Sequence, residues 1–173
     1  MINMVKLPTN KSSLFLRVAK GHFATSHSHI NYYIDVTTQK ARLSEAKAVA
    51  KELVAAYQHS TIVDTVLCLD GTQVIGTCLA NELTKDGFAN MNAHQTIYVI
   101  TPEYTSGSQI ILRDNLAPMV KGKHVLILGI PVTSIFDPSS LPDYASFDSR
   151  DCPMCKAGQH IDALVNSFGY SAL

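Results

Sequence analysis

VDTVLCLDGTQVIGTCLANEL, residues 63–83, changes its apolar rhythm partway along. Ile62 to Leu69 is a run of β-branched and apolar residues, the signature of a buried strand. Asp70-Gly71-Thr72 supplies turn chemistry, and Ile75 to Leu83 has helical spacing with a stop expected near Gly87. A turn that leaves a strand and opens a helix presents backbone N–H groups and the positive end of the helix dipole. It therefore suits a phosphate or pyrophosphate. Asp70, Gly71, Thr72 and Gln73 are the candidate anion site, and the plainer account is an ordinary tight turn.

Working outward, Ser44 can cap a helix whose apolar positions Ala46, Val49, Ala50, Leu53, Val54 and Tyr57 follow the i, i+3, i+4, i+7 spacing. Thr96 to Ile100 reads as a strand, 102–115 as a polar loop, and Val125 to Leu128 as another strand. Strands separated by helices predict an α/β fold, with a mainly parallel sheet flanked by helices. Toward the N-terminus, Leu14, Phe15 and Val18 predict a short amphipathic helix over Ser12–Lys20, ended by Gly21. Tyr33, Ile34 and Val36 predict extended chain after a Ser/His/Asn-rich loop. The tail from 137 is rich in turns, with three of the seven prolines by residue 158. Ile161, Leu164, Val165 and Phe168 predict a last helix ending at Gly169. A single domain over 1–173 is expected, divided into an N-terminal helix and loop (1–36), an α/β core (37–136) and the tail (137–173).

Lys plus Arg and Asp plus Glu balance at 14 each, so no bulk charge draws the chain to nucleic acid or an anionic membrane. Its apolar runs fall short of the ~20 residues that span a bilayer, and the first residues carry no apolar signal core, so a cytoplasmic location is the expectation. Cys68 and Cys78 read as small buried hydrophobes. Cys152 and Cys155 have the spacing of half a zinc ribbon or of a redox pair. No second Cys pair exists and only His160 stands nearby in sequence, so a structural turn is expected there and zinc is not. His27 and His29 lie two apart, but no third ligand is evident beside them. Their loop, Ser26, His27, Ser28, His29 and Asn31, precedes Tyr32 and Tyr33. Stacking and polar edge recognition together suit a planar heterocycle. Ser106, Gly107 and Ser108 have the make-up of a mobile loop, and Arg113 beyond them could reach an anion.

These segments occur in a familiar order. GHFATSHSHINYYIDV, from Gly21, resembles the N-terminal signature of orotate phosphoribosyltransferases. Residues 63–83 resemble the strand, pyrophosphate loop and helix of the type I phosphoribosyltransferase fold. KGKHVLIL, ending at Leu128, resembles the strand before the phosphoribosyl-pyrophosphate motif, and CPMCKAG, from Cys152, resembles a Cys-Pro-x-Cys element of some family members. The resemblance implies an enzyme that moves a phosphoribosyl group between phosphoribosyl pyrophosphate and a nucleobase, orotate or a related pyrimidine. It further implies magnesium as cofactor and a homodimer. By the same resemblance Asp70 to Gln73 would hold pyrophosphate and Ser26 to Asn31 the base.

The chain also departs from the family. After Leu128 the family has two acidic residues and a Thr/Gly-rich loop, where this chain has Gly129-Ile130-Pro131-Val132. Two strand-like runs meet there without a crossover, which parallel neighbours require. The expectation is that a segment of roughly 30 residues, the size of a βαβ element, is missing between Leu128 and Gly129, the alternative being a loop that has degenerated to GIPVTS. Impaired turnover is then expected, with a non-catalytic nucleotide or ligand sensor on the same fold as the alternative.

Overall fold

The computed structural model describes residues 2–8, 14–69, 71–85, 90–100, 103–104, 110–111, 136, 138–166 and 168–173. The chain divides into two compact units. One joins Met1–Val49 to Ile135–Leu173, and the other is Ala50–Ser134.

The first unit is built on a six-stranded sheet: β1 (Val5–Pro8), β2 (Phe15–Ala24), β3 (Ser28–Asp35), β8 (Ser146–Asp148), β9 (Ala163–Asn166) and β10 (Gly169–Ala172). The order is β10-β9-β2-β3-β8, with β1 on the first half of β2. β2 is antiparallel to β1 and β3 and runs parallel to β9, where Phe23 and Ala24 face Ala163 and Leu164. The core beneath comprises Ala19, Phe23, Tyr33, Ala163 and Val165, with Ile2, Met4 and Ile30 packed against it. Phe23 and Tyr33 meet at 6.0 Å between ring centroids, and Tyr33 and Tyr170 at 5.5 Å, within the range of favourable aromatic pairs. Two helices follow β3: a single turn, α1 (Thr37–Ala41), and α2 (Leu43–Tyr57), which carries the chain into the second unit.

The second unit contains a βαβ element: β4 (Thr65–Leu67), α3 (Gln73–Leu83) and β5 (Tyr98–Ile100). β4 and β5 pair in parallel, Thr65 with Tyr98 through Leu67 with Ile100. A two-stranded antiparallel pair, β6 (Glu103–Tyr104) and β7 (Ile110–Ile111), lies within the predicted polar loop. The tail of the first unit adds a 3-10 turn at Pro138–Ser140 and a four-residue helix, α4 (Pro153–Lys156).

The architecture is therefore mixed α/β, but the larger sheet is mostly antiparallel, which corrects the expected mainly parallel sheet. Two predicted helices are strands. In the first, Leu14, Leu16 and Val18 are at most 5% exposed while Phe15 is 48% exposed, a two-residue period that the helical reading passed over. In the second, Ala163 and Val165 are buried while Leu164 and Phe168 are exposed, so alternation again overrides the i, i+3 spacing. The helix expected from Ser44 is present with Ala46, Val49, Ala50 and Val54 buried, but it begins at Leu43, so Ser44 lies inside it and not at its cap; the strand and helix of residues 63–83 are both present. Cys68 and Cys78 are buried, as their apolar settings predicted. Ser12, Asp70, Gly87, the strand expected at 125–128, the Leu128–Gly129 junction, and Ser106, Gly107, Ser108 and Arg113 lie outside the described residues.

Candidate functional site

Two places gather chemistry, one in each unit. In the second, the chain leaves β4 and turns into α3. Gly71 has φ 77°, a left-handed conformation that costs a residue with a side chain. The turn closes on Leu69, whose carbonyl accepts from the Thr72 amide at 3.1 Å and from the Thr72 hydroxyl at 2.6 Å. Thr72 stands at the N-cap without a side-chain cap bond. The next amides, from Gln73 on, are those that a helix N-terminus leaves without intrahelical partners. Gly76 then lets α3 lie against β4: a Cβ there would collide with the Cys68 Sγ and stand 3.3 Å from Val66. Asn92, fully buried, pins the chain leading into β4. Its Oδ1 accepts from the Val63 amide at 2.6 Å and its Nδ2 donates to the Thr61 carbonyl at 3.1 Å.

In the first unit, β2 and β3 form a hairpin closed over Thr25–Ser28. The Thr25 amide donates to the Ser28 carbonyl at 2.8 Å, and Thr25 Oγ1 accepts from the Ser28 amide at 2.9 Å. Ser26 and His27 sit exposed at the tip. The other residues of the predicted base loop face structural partners. Asn31 exchanges hydrogen bonds with the Asp143–Ala145 segment: its Nδ2 donates to the Asp143 carbonyl and its Oδ1 accepts from the Ala145 amide. His29 is buried against His22.

His22 reaches the interior through an irregularity in β2. The register with β3 shifts between Lys20 and Phe23, and such a bulge re-aims the side chains around it. His22 and the adjacent Phe23 are both buried. Gly21 stands at the bulge. A Cβ on it would lie 2.5 Å from Asp162 Oδ2, the atom that accepts from the His22 amide at 2.7 Å. The Asp162 amide in turn donates to the His22 carbonyl at 2.7 Å.

The tail meets these imidazoles. His22 Nε2 lies 3.0 Å from His29 Nδ1, 3.6 Å from Cys152 Sγ and 3.7 Å from Cys155 Sγ; His29 Nδ1 is 3.2 Å from Cys155 Sγ. All four donor atoms fall within 4.8 Å of one another. His22 Nδ1 faces the Gln159 carbonyl at 3.0 Å. Three of the four residues are buried, and Cys155 forms the outer edge. Spacing had offered only His160 as a partner for the Cys pair and none beyond His27 for His29. The histidines that join the cysteines are His22 and His29, and His27 points elsewhere. In the sequence His22 is only the residue after the glycine expected to end the first helix.

No family model, curated protein or solved structure matches the chain. Among the described residues, no helix is long and apolar enough to cross a membrane.

Proposed function

We propose that the chain transfers a phosphoribosyl group between phosphoribosyl pyrophosphate and a nucleobase, orotate or a related pyrimidine, with pyrophosphate held at the turn between β4 and α3. The observation that carries this reading is the β4–α3–β5 element. It is a parallel pair bridged by a helix, with Gly71 in the left-handed conformation at the turn and Gly76 allowing close helix–strand packing. In α/β folds anionic ligands bind at such strand-to-helix turns, where amides and helix dipole converge. Displacement of pyrophosphate at an anomeric carbon needs positioning and charge stabilisation more than a nucleophilic side chain. A turn of amides is suited to that task. The order of the segments along the sequence, described above, supplies the choice of reaction.

The same reading makes the protein a cytoplasmic homodimer. Magnesium, which the family resemblance implies, finds no cluster of oxygen ligands among the described residues. The one group of three or more ligand side chains there is the His/Cys set, whose soft donors do not suit it. No step is assigned to magnesium. A second reading, a sensor that binds nucleotide without turnover, is favoured by the lack of an acidic pair after Leu128.

Pyrophosphate release from phosphoribosyl pyrophosphate, measured with a panel of pyrimidines and purines, tests the proposal. Base-dependent release supports it. No release with any base, together with saturable binding of phosphoribosyl pyrophosphate, would establish the sensor instead. Neither release nor binding would overturn both.

A further inference from the structure

We propose that His22, His29, Cys152 and Cys155 bind one zinc ion in a closed, structural site. This inference stands apart from the phosphoribosyl reading and rests on the first unit alone.

The geometry is that of a tetrahedral centre. With Zn–S near 2.3 Å and Zn–N near 2.0–2.1 Å, donor atoms on a tetrahedron lie about 3.3 Å apart for two nitrogens, about 3.6 Å for sulfur and nitrogen and about 3.8 Å for two sulfurs. The observed separations are 3.0 Å between the nitrogens and 3.2, 3.6 and 3.7 Å between sulfur and nitrogen. All pairs stay within 4.8 Å. Small shifts would admit an ion at the centre.

The surroundings also fit. The Gln159 carbonyl opposite His22 Nδ1 favours the tautomer with the proton on that nitrogen, which leaves the Nε2 lone pair for a metal. Binding converts two thiols, two neutral imidazoles and Zn²⁺ into a complex of zero net charge. Two protons leave from the sulfurs, and the proton on His29 resides on Nε2. A neutral centre is the form that burial tolerates best. Two thiolates and two imidazoles select zinc over magnesium or calcium, and four protein ligands leave no open position for catalysis.

A hydrogen-bonded pair of core histidines is the plainer account, and the tail argues against it. α4 has four residues and none of them is buried, so packing does little to hold it. A helix this short is not stable by itself. What fixes it to the sheet is Cys152, 1% exposed, together with Cys155 at its last turn. A metal bridging both cysteines to β2 and β3 supplies the stabilisation that a core of its own would otherwise provide. A Cys152–Cys155 disulfide would consume the same sulfurs without binding the tail to either histidine.

The test is metal analysis of the full chain purified under reducing conditions, with cobalt exchange as a second readout. We expect about one zinc per chain, as a closed four-ligand site requires. Replacement by Co²⁺ should give the visible bands of a tetrahedral ion and a sulfur-to-cobalt charge-transfer band. Zinc should protect Cys155 from maleimide, and a chelator should expose it. Cys155→Ser and His22→Ala should lose the bound metal, whereas Cys78→Ala and His27→Ala should keep it. If the ligand variants fail to fold, the cobalt spectrum of the unaltered chain decides. Substoichiometric metal with no tetrahedral cobalt spectrum, iron in place of zinc, or Cys155 labelling that ignores zinc would each overturn the proposal.

Discussion

The imidazoles of His22 and His29 meet edge to face across the β2–β3 hairpin, ring centroids 4.9 Å apart and Nε2 3.0 Å from Nδ1. Two strands that pair regularly would carry side chains at these positions out on alternating faces. The bulge at Gly21-His22 is what turns the first ring inward, so the contact depends on a backbone irregularity as much as on the residues that make it.

If zinc occupies the cluster, stripping it should destabilise the first unit. For a chain of this size each kcal/mol is worth about 2–4 °C, so loss of several kcal/mol should lower the melting temperature by about 10 °C or more. Zinc should restore the original value where magnesium does not. Calorimetry with and without a chelator makes the comparison, and identical melting curves would count against a structural ion.

Gly21→Ala should destabilise through the Asp162 carboxylate, which stands where the new Cβ would go. Asp162→Ala should cost about 1–3 kcal/mol, because the buried His22 amide loses its acceptor. Either change should also weaken metal retention, since both disturb the placement of His22. A urea titration read beside metal content would reveal whether the two losses travel together.

Gly76→Ala should cost about 1–3 kcal/mol by overpacking α3 against β4. The obstructing atom is the Cys68 sulfur, so Cys68→Ala in the same chain should recover part of the loss. Additive effects in the double-mutant cycle would show that the two side chains do not compete for the same space.

Asn92→Ala should destabilise the second unit by about 1–3 kcal/mol, because the Val63 amide and the Thr61 carbonyl both lose a partner. Asn92→Asp keeps the acceptor but sets a buried carboxylate against the Thr61 carbonyl, so it should cost at least as much as the alanine change. Hydrogen exchange at Val63 is the direct readout, and unchanged protection in the alanine variant would rule the contact out as a support.

Asp143 accepts from the Lys20 ammonium and the Tyr32 hydroxyl, which hold its carboxyl below the ordinary carboxylate range, Lys20 most strongly. A carboxyl with a depressed folded pKa adds stability above its unfolded value of 3.8, and that contribution fades as pH falls through the folded value. The stability gap between the parent and Asp143→Asn should therefore be flat near neutrality and close below pH 3.8. Both groups are exposed, so the gap should be small and should shrink in high salt. A gap that widens on acidification would refute the assignment.

Local signals made the second unit readable. A β-branched run, an Asp-Gly turn and an i, i+3, i+4 face lie within 21 consecutive residues, and the strand, turn and helix follow in that order. The first unit was harder because its decisive pairings are distant. Residues 14–18 satisfy both a helical and an alternating pattern, and the choice falls to β1 and β3, which offer the segment a place in a sheet. The metal-ligand set was hidden for the same reason: Cys152 and His22 are 130 positions apart. The Cys-x-x-Cys spacing marked half of it, while His22 looked like any residue after a glycine.

The parallel pairing of β2 with β9 has a consequence for the order of events during synthesis. Phe23 cannot meet Ala163 until the ribosome has delivered every residue between them, all of the second unit included. Contacts so far apart close slowly, since the loop entropy comes due before they form. β1, β2 and β3 therefore emerge before β8 and β9, which pair with β3 and β2, and strand edges left bare invite association with other chains. Ion capture by Cys152 and Cys155 would then be the latch that ends this vulnerable interval.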